Sequence, residues 1–433
     1  MRILTADPGS AVPGLDRSQP VQIGNLTYNV YMKPKIIQRR IQPTIVELAG
    51  AFPVVTVTGP RQSGKTTLCR MAFPNLRYVS LEDPDERRFA LDDPRGFLAE
   101  LTDGAILDEV QRAPELVSYL QGIVDDDPRP GRFVLTGSVN LAVRSDLTQS
   151  LAGRTALVEL LPLDIEERVA LSPVDDLWHA VWQGGYPAIH HRSVAADRWL
   201  AAYVSTYVER DVRQHLAVGD LAAFQGFLEL AATQTANLVN QTALGEGVGV
   251  SHNTARSWLS VLEAGYLVHK LPPLHRNLRK RVVKAPKLHF VDSGLACWLL
   301  GIRRPEELKS HPLRGSLFES WVVAEISKAF ANRGVRSRFH HWRDHRGREV
   351  DLVVDRGRDL LAVEVKSGAT VHPSFFDSLE RFSALVREAV PPPPEGVRRV
   401  LVAGGGGRQQ RSAGLVLPWK EIQTYPWAED AGQ

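Results

Sequence analysis

One segment of the sequence has the residue types and spacing of a phosphate-binding loop. Gly59-Pro-Arg-Gln-Ser-Gly-Lys-Thr66 follows a β-branched apolar run and precedes an amphipathic stretch. The glycines let backbone N–H groups face phosphates, Lys65 reaches the β- and γ-phosphates, and the Thr66 hydroxyl binds Mg²⁺. A chance glycine-rich turn is disfavoured because strand, loop, Lys65 and Thr66 are all in place. The sequence predicts that ATP and Mg²⁺ are bound by Gly59, Pro60, Arg61, Gln62, Ser63, Gly64, Lys65, Thr66 and Thr67.

A second apolar run, AILDE at 105–109, ends in two acids. At the carboxyl end of a parallel strand, Asp108 would hold Mg²⁺ through water, and Glu109 would polarise the attacking water as the catalytic base. The alternative is a solvated strand end in which Glu109 is a helix-start acid. The spacing to the loop favours the first interpretation, in a sheet with one strand between the two segments.

Two further segments offer groups that act on a nucleotide. The run FVLTGS at 133–138 is an apolar strand with hydroxyl groups at its end, so Thr136 or Ser138 would contact the γ-phosphate or the attacking water as a sensor. The run SLAGR at 150–154 places Arg154 where an arginine finger would fall, in its own subunit or in a neighbouring copy of a homo-oligomer. The alternative for Arg154 is the cap of a helix that ends near Gly153.

The C-terminal part contains a third group of candidate residues. Glu319 lies on a predicted helix over Leu317–Phe330, and Asp351 lies on an alternating strand. Glu364 and Lys366 are one residue apart, so a strand points both side chains to the same face. Carboxylates at these positions are residue types that can bind a metal ion. A solvated ion pair on a strand is the plain alternative.

Between these sites lies a pattern typical of a helix–turn–helix. Ser251 is suited to cap a helix whose apolar stripe is Ala255, Leu259 and Leu262, with Gly265 at its end. The preceding helix and glycine-rich turn complete the unit, which leaves four polar residues facing outward: His252, Asn253, Arg256 and Ser257. Residues 275–287 follow at the position of a wing and carry Arg276, Arg279, Lys280, Arg281, Lys284 and Lys287 without an acid. The pattern favours DNA contact; a packing lid inside an ATPase is the alternative.

Composition limits the elements that must position these groups. The chain has 433 residues, 43% of them hydrophobic and 23% charged, as in a globular protein of several domains. No run approaches the roughly 18 apolar residues that a membrane span needs, and the N-terminus lacks a secretory h-region. Two cysteines cannot form a disulfide framework or a four-ligand zinc site. These observations predict a cytoplasmic protein, whereas the net charge of +3 favours no partner.

Periodicity predicts an α/β fold made of successive modules. Short β-branched runs alternate with longer amphipathic stretches, which indicates a parallel sheet covered on both faces. The runs are Val54–Thr58, Tyr78–Leu81, Ala105–Leu107, Phe133–Leu135 and Leu157–Leu160. We predict a flexible tail (1–31, with Met32 as an alternative start), a P-loop core (32–164), a helical subdomain (165–235), a winged-helix-like domain (236–287) and a C-terminal α/β domain (288–433).

The same segments resemble a widespread family of prokaryotic AAA-type ATPases with a C-terminal domain of unknown function. The resemblance rests on runs such as VTGPRQSGKTTL, AILDEVQRAPELVSYLQ, FVLTGSVNL, GGYPA, PKLHFVDSGLA and HPLRGSLFESWVVAEI, and covers Met32 to about Trp419. The D-x(12)-E-x-K arrangement of Asp351, Glu364 and Lys366 resembles restriction-endonuclease-like (PD-(D/E)XK) nucleases, with Glu319 as the helix acid of that fold. Val350 stands where that pattern prefers proline.

Two functions follow as hypotheses. The first is a Mg²⁺-dependent ATPase that couples nucleotide state to nucleic-acid binding or processing. The second is a nucleotide-dependent regulatory switch, such as a toxin–antitoxin or phage-defence component, in which the nuclease-like domain is catalytically silent.

Overall fold

The computed structural model of the chain describes residues 21–23, 26–28, 37–138, 151–191, 194–207, 220–274, 285–388 and 393–428. The chain divides into two units between residues 36 and 37. In the first unit, β1 (Val21–Ile23) and β2 (Leu26–Tyr28) pair as antiparallel strands. The rest of the expected tail, and the alternative start at Met32, lie outside the described residues.

A five-stranded parallel sheet opens the second unit. Its strands are β3 (Val54–Thr58), β4 (Arg77–Ser80), β5 (Ala105–Asp108), β6 (Phe133–Gly137) and β7 (Thr155–Glu159). Its helices are α1 (Gln42–Ala49), α2 (Lys65–Ala72), α3 (Pro84–Asp92), α4 (Pro94–Ala99) and α5 (Leu116–Asp126). The strand order is β4-β5-β6-β3-β7, so one strand, β6, separates β3 from β5. The predicted parallel sheet with an intervening strand is confirmed.

The central strands of this sheet are buried along their whole length. Every residue of β3, β5 and β6 is buried, as expected for parallel strands covered on both faces. Strand ends differ slightly from the apolar runs, because ladder pairing sets them. The run predicted at Leu157–Leu160, for example, is a strand from Thr155, which pairs with Val54, to Glu159, which pairs with Thr58.

Short helices follow the sheet and lead into a helix–turn–helix. The helices are α6 (Ile165–Val169), α7 (Leu177–Gln183), α8 (Pro187–His191), α9 (Ala196–Tyr207), α10 (Leu221–Thr233), α11 (Gln241–Gly247) and α12 (His252–Ala264). Ser251 caps α12, because its side chain accepts a hydrogen bond from the Thr254 backbone N–H at 3.1 Å. The expected stripe of Ala255, Leu259 and Leu262 is buried.

A small sheet accompanies these helices. It has two strands, β9 (Val268–Leu271) and β10 (Lys287–Phe290), and the short strand β8 (Asn237–Leu238) lies beside β10 outside the sheet. β9 and β10 pair antiparallel, and the Ala236 N–H donates to the Leu288 carbonyl oxygen at 2.6 Å beside β8. Residues 275–284, which include most of the basic segment, lie outside the described residues.

The C-terminal part is built around a six-stranded mixed sheet. Its helices are α13 (Ser293–Leu299), α14 (Pro305–Ser310), α15 (Arg314–Ala331) and α16 (Asp377–Arg387). Its strands are β11 (Phe339–Arg343), β12 (Glu349–Asp355), β13 (Leu360–Lys366), β14 (Val397–Ala403), β15 (Gln409–Arg411) and β16 (Gly414–Pro418). The order is β11-β12-β13-β14-β16-β15. β13, β14 and β16 are parallel, and the other neighbours are antiparallel.

The two faces of this sheet pack against different helices. Leu361 and Val363 of β13 share a core with Trp321 of α15, whereas Leu360 and Ala362 pack with α16. The α15 core extends without a break through the helix–turn–helix and the short helices α7 to α9. Along the described part of the chain, no helix has both the length and the apolar character needed to cross a membrane.

Candidate functional site

The phosphate-binding loop connects β3 to α2 and needs glycine at two positions. Gly59 has a φ of +145°, and a Cβ atom there would lie 2.2 Å from the carbonyl oxygen of Leu160. Gly64 has a φ of +96°, which also favours glycine. Because α2 begins at Lys65, the N–H groups of its first turn have no partners within the helix and face this loop.

Lys65 is the buried cation of the loop. Its Nζ atom donates hydrogen bonds to the carbonyl oxygens of Gly59 and Pro60, at 3.0 and 2.9 Å. Burial lowers the pKa of Lys65 to about 8, although Glu109 and Asp108 act in the opposite direction. In this state, the ammonium group is held by the loop's own carbonyl oxygens.

Asp108 receives hydrogen bonds from three side-chain hydroxyl groups. Oγ1 of Thr66 lies 3.1 and 3.0 Å from its two carboxylate oxygens, and the Tyr78 hydroxyl lies 2.8 Å from Oδ2. Thr136 donates to Oδ1. The predicted proximity of Thr66 and Asp108 is therefore present. Tyr78 was missed, because its position on the strand beside Asp108 becomes visible only once the pairing of β4 with β5 is known.

Glu109 lies next to Asp108 in a left-handed backbone conformation, with a φ of 60°. Oγ of Ser138 donates to its Oε1 atom at 2.5 Å, and Gln111 donates to Oε2. Burial alone would raise the pKa of Glu109, but Lys65, Ser138 and Gln111 outweigh it, so the pKa is lowered. Glu109 is thus an ionised carboxylate, as a base that orients water must be.

The residues of this site fit a nucleotide with Mg²⁺. Thr66 and Asp108 offer hydroxyl and carboxylate oxygens, the ligand types that Mg²⁺ prefers. Oγ of Ser63 is buried and has no hydrogen-bond partner among the described residues, as expected for a donor reserved for phosphate. Gln62 and Thr67 are exposed at the rim of the loop.

Arg154 lies at the amino-terminal end of the parallel strands, whereas the phosphate-binding loop lies at their carboxyl-terminal end. It precedes β7, whose first residue, Thr155, pairs with the first residue of β3, whereas the loop follows the last residue, Thr58. At about 3.3 Å per residue, the two ends of the strands are about 13 Å apart. The Arg154 guanidinium instead binds Asp125, with Nη2 at 2.9 Å from Oδ2. The predicted role of Arg154 as an arginine finger within its own subunit is therefore wrong. A finger role toward a neighbouring copy stays a prediction. The alternative, in which Arg154 caps a helix that ends near Gly153, concerns residues before 151, which lie outside the described residues.

Arg39 connects the phosphate-binding loop to the next module. Its guanidinium donates to the carbonyl oxygens of Ser63 and Leu161 at 2.8 and 2.7 Å. It also forms an ion pair with Glu167 at 3.0 Å. Glu167 and Asp164 form the capping box at the start of α6. Sequence reasoning missed Arg39, because a single arginine carries no sign of a partner 128 residues away.

Tyr266 makes a second connection, from the helix–turn–helix to β3. Its hydroxyl oxygen lies 2.8 Å from Oγ1 of Thr58, and 3.4 Å from Oε1 of Glu159. Tyr266 has a φ of 58° and is buried. Tyr266, two residues after the end of α12, therefore contacts the end of β3 from which the phosphate-binding loop begins.

The four candidate residues of the C-terminal part lie close together. Glu364 and Lys366 form an ion pair at 2.5 Å on β13, and Asp351 on β12 accepts a hydrogen bond from the Val365 backbone N–H at 2.9 Å. Burial and the neighbouring Asp351 raise the pKa of both Glu319 and Glu364 to about 8. In both cases burial is the main cause, and the charge of Asp351 adds to it.

Two further residues complete this C-terminal cluster. Lys287 is 2% exposed, and its Nζ atom lies 2.6 Å from Oε1 of Glu319 and 3.6 Å from Oδ1 of Asp351. It also forms an ion pair with Glu349. Glu349 lies two residues before Asp351 on one strand, a spacing that could have identified it. The sequence predicts that Lys287 belongs to the basic wing; this prediction is wrong, because its ammonium group is buried among carboxylates.

The outward face of α12 has the expected polar residues. His252, Asn253, Arg256 and Ser257 are all exposed, whereas Trp258 between them and the core is buried. These four side chains are thus exposed when only the described part of the chain is considered.

The five-stranded parallel sheet, the phosphate-binding loop and the acid pair of Asp108 and Glu109 define a domain of the P-loop ATPase class. Residues 51–169 match the family model described as AAA domain. Residues 174–306 and 314–422 match two models described as domains of unknown function, DUF8612 and DUF4143.

Two mycobacterial proteins are similar over most of their length. They are the uncharacterized proteins Mb2031c of Mycobacterium bovis and Rv2008c of Mycobacterium tuberculosis. Each is 33% identical over 339 residues, which covers 77% of this chain and 74% of the relative. The chain belongs to the same family as these two proteins.

Solved structures resemble the chain more weakly. The Walker-type ATPase PABY2304 of Pyrococcus abyssi shares 15% identity at a TM-score of 0.43, covering 61% of this chain and 96% of its own. A DNA replication initiation factor shares 13% identity at a TM-score of 0.26, covering 52% of this chain and 80% of its own. At these scores neither likeness carries an argument.

Proposed function

We propose that the protein is a Mg²⁺-dependent ATPase that couples its nucleotide state to nucleic-acid binding or processing. The observation that carries this proposal is the hydrogen bond between Tyr266 and Thr58 at 2.8 Å. Tyr266 lies two residues after the second helix of the helix–turn–helix, and Thr58 is the residue before Gly59. A change in the phosphate-binding loop would reach the helix–turn–helix directly through this pair.

The ATP-site residues have separate roles in this proposal. Lys65 binds the β- and γ-phosphates once nucleotide replaces its present carbonyl partners, and Thr66 and Asp108 hold Mg²⁺. Glu109 orients the attacking water, and Ser138 fixes Glu109 through their 2.5 Å hydrogen bond. Magnesium would neutralise charge on the transferred phosphoryl group.

The proposed nucleic-acid surface is the exposed face of α12. His252 and Asn253 lie in its first turn, and Arg256 and Ser257 one turn later, all exposed. In a helix–turn–helix, the amino-terminal residues of the second helix contact the groove. The antiparallel pair of β9 and β10 beside the helices supports a winged-helix arrangement; residues 275–284, predicted from the sequence to contact DNA, lie outside the described residues.

The C-terminal part is proposed to be a nuclease-like domain with a metal site at Asp351 and Glu364. The order α15, β11, β12, β13, α16, β14 places a helix before three antiparallel strands and another helix before a parallel strand. This order supports the resemblance to restriction-endonuclease-like enzymes. Lys366, paired with Glu364, would stabilise the charge that develops on phosphorus.

A direct test measures ATP hydrolysis with and without double-stranded DNA, together with metal-dependent degradation of plasmid and branched DNA. DNA is expected to change the ATPase rate several-fold. Cleavage by the wild type that is lost in Asp351→Ala and in Glu364→Ala would assign nuclease activity to the C-terminal site. An ATPase rate that is the same with and without DNA, together with no DNA binding, would contradict the proposed coupling.

A regulatory switch with a silent nuclease-like domain is the second candidate. The ammonium group of Lys287 among Glu319, Glu349 and Asp351 favours it, because a resident cation occupies part of the acidic cluster. This candidate predicts ATP-dependent DNA binding without cleavage of any of these substrates.

A further inference from the structure

The acidic cluster of the C-terminal part contains a cation that the chain itself supplies. One carboxylate oxygen from each of Glu319, Glu349 and Asp351 lies within 4.8 Å of the others, a spacing that would suit a metal ion. The Nζ atom of Lys287 lies among these same groups, at 2.6 Å from Glu319 and 3.6 Å from Asp351, and is ion-paired with Glu349.

We propose that Lys287 is the resident cation of this cluster and keeps divalent metal out of its Glu319–Glu349 side. Lys287 is 2% exposed, so its charge is compensated by these carboxylates and not by solvent. A divalent ion at the same place would lie beside a buried ammonium group, which like-charge repulsion opposes. Glu319, expected from the sequence to be a metal ligand, is therefore a partner of Lys287.

The other side of the cluster remains open to a single metal ion. Oε1 of Glu364 is paired with Lys366, but its Oε2 atom is buried and has no hydrogen-bond partner among the described residues. Glu364 is 8% exposed. Asp351 uses Oδ2 for the Val365 backbone N–H, and its Oδ1 lies 3.6 Å from Lys287, beyond a close ion pair. One divalent cation shared by Asp351 and Glu364 is the arrangement that these contacts permit.

The origin of Lys287 adds a consequence for the proposed function. Lys287 is the first residue of β10, which pairs with β9 directly after the helix–turn–helix. The module proposed to contact nucleic acid thus supplies the cation of the module proposed to process it. The number of metal ions in the C-terminal site depends on where β10 lies.

The test counts Mn²⁺ ions bound to the full chain by equilibrium dialysis and electron paramagnetic resonance. All variants carry Asp108→Asn and Glu109→Gln and no nucleotide is added, so that the carboxylates of the ATP site do not contribute a metal ion; the protein with only these two changes is the parent. The parent is expected to bind one ion, which Glu364→Gln weakens at least tenfold. Lys287→Met, neutral and of similar length, is expected to bind two, with the second lost again on adding Glu349→Gln. Lys287→Arg is the matched control and should bind one.

Two ions bound to the parent, or no additional ion bound to Lys287→Met, would overturn the proposal. Because Lys287→Met exposes carboxylates to one another and could fail to fold, Glu349→Gln in the parent provides a second test. It should leave the metal count unchanged, since Glu349 is committed to Lys287; loss of the bound ion would overturn the proposal. The proposed exclusion by Lys287 rests on the proposed metal site, but the experiment distinguishes failure of the one from failure of the other. No ion in the parent and one ion in Lys287→Met would support exclusion by Lys287 and contradict the Asp351–Glu364 site.

Discussion

The hydroxyl group of Tyr266 lies 2.8 Å from Oγ1 of Thr58, the residue that precedes the phosphate-binding loop. The two residues are 208 positions apart in the chain, so this bond joins the helix–turn–helix to the ATP site. Tyr266 is held in a left-handed conformation that a non-glycine residue rarely adopts. Such a conformation persists where surrounding contacts impose it, as they do here.

Removing the Tyr266 hydroxyl should uncouple the two modules and leave the ATP site intact. Tyr266→Phe keeps the buried ring, whereas Thr58 keeps its hydrogen bond to the Val158 carbonyl oxygen. We expect ATP hydrolysis without DNA to stay within about twofold of the wild type, because no residue that binds nucleotide changes. The effect of ATP on DNA affinity, measured by fluorescence anisotropy with and without nucleotide, should fall at least threefold.

The matched control for this variant is Tyr425→Phe, which removes a hydroxyl from a partly buried tyrosine far along the chain. It should leave both measurements unchanged. Full retention of the ATP effect on DNA affinity in Tyr266→Phe would refute the proposed coupling route.

Glu109→Gln should bind ATP normally and hydrolyse it slowly. The amide cannot act as a base, and loss of a general base typically costs about 10²–10⁴-fold in rate. Ser138→Ala should have a smaller effect in the same direction, because it releases Oε1 of Glu109 without removing the base. Steady-state phosphate release and ATP titration by fluorescence would separate rate from affinity. Normal turnover by Glu109→Gln would show that Glu109 is not the base.

Much of the ATP site could be predicted, because its residues are neighbours along the chain. Loop, strand and acid pair each occur in one short segment, and parallel pairing then brings Thr66 and Asp108 within hydrogen-bonding distance. Arg154 shows the limit of this reasoning. Arg154 directly precedes a strand of the sheet, but that strand runs toward the phosphate-binding loop. Arg154 therefore lies at the end of the strands that is farther from the loop.

The C-terminal cluster illustrates a different limit. Strand periodicity correctly places Glu364 and Lys366 together. Lys287, however, was grouped with the basic residues before it in sequence, and only the pairing of β10 with β9 turns its side chain toward Glu319. Arg39 is the same kind of case, since its partners come from the phosphate-binding loop and from residues 161–167, far along the chain. Long-range ion pairs of this kind leave no local pattern.

Arg154→Ala should leave ATP hydrolysis unchanged at protein concentrations where the chain is monomeric. Its guanidinium binds Asp125 on the edge opposite the loop, and an exposed pair of this kind contributes little to stability. A finger supplied to a neighbouring copy would appear only in an oligomer. Mixing Arg154→Ala with Lys65→Ala subunits and measuring activity against concentration tests it; rescued activity would establish the neighbouring-copy role, and none would exclude it.

Arg39→Ala should destabilise the protein and weaken ATP binding. The change removes the partner of Glu167, whose side chain is 1% exposed, and breaking a buried pair typically costs about 3–5 kcal/mol. It also frees the Ser63 carbonyl oxygen of the phosphate-binding loop. We expect a lower urea midpoint and a raised Kd for ATP. Arg129→Ala, which breaks an exposed pair with Asp127, is the control and should change the free energy of unfolding by less than about 1 kcal/mol; equal effects of the two variants would contradict the role of Arg39.

ATP binding should take up a proton at high pH. Burial lowers the pKa of Lys65 to about 8 in the nucleotide-free protein, and bound phosphates favour the ammonium form. At pH 9 about nine in ten Lys65 side chains are neutral, so binding should take up close to one proton, against about one tenth of a proton at pH 7. Above pH 8 the affinity should fall by up to about tenfold per pH unit.

The same shift affects folding in the opposite direction. Because the pKa of Lys65 is lower in the folded chain than the ordinary value of 10.5, the unfolded chain binds more protons between about pH 8 and 10.5. The contribution of Lys65 to the free energy of unfolding therefore rises with pH across that window, while ATP affinity falls.

Calorimetry of ATP binding in two buffers of different ionisation enthalpy measures the proton uptake. Lys65→Arg, whose side chain stays charged, is the control. Equal heats in the two buffers at pH 9 would show that Lys65 is not the group that titrates.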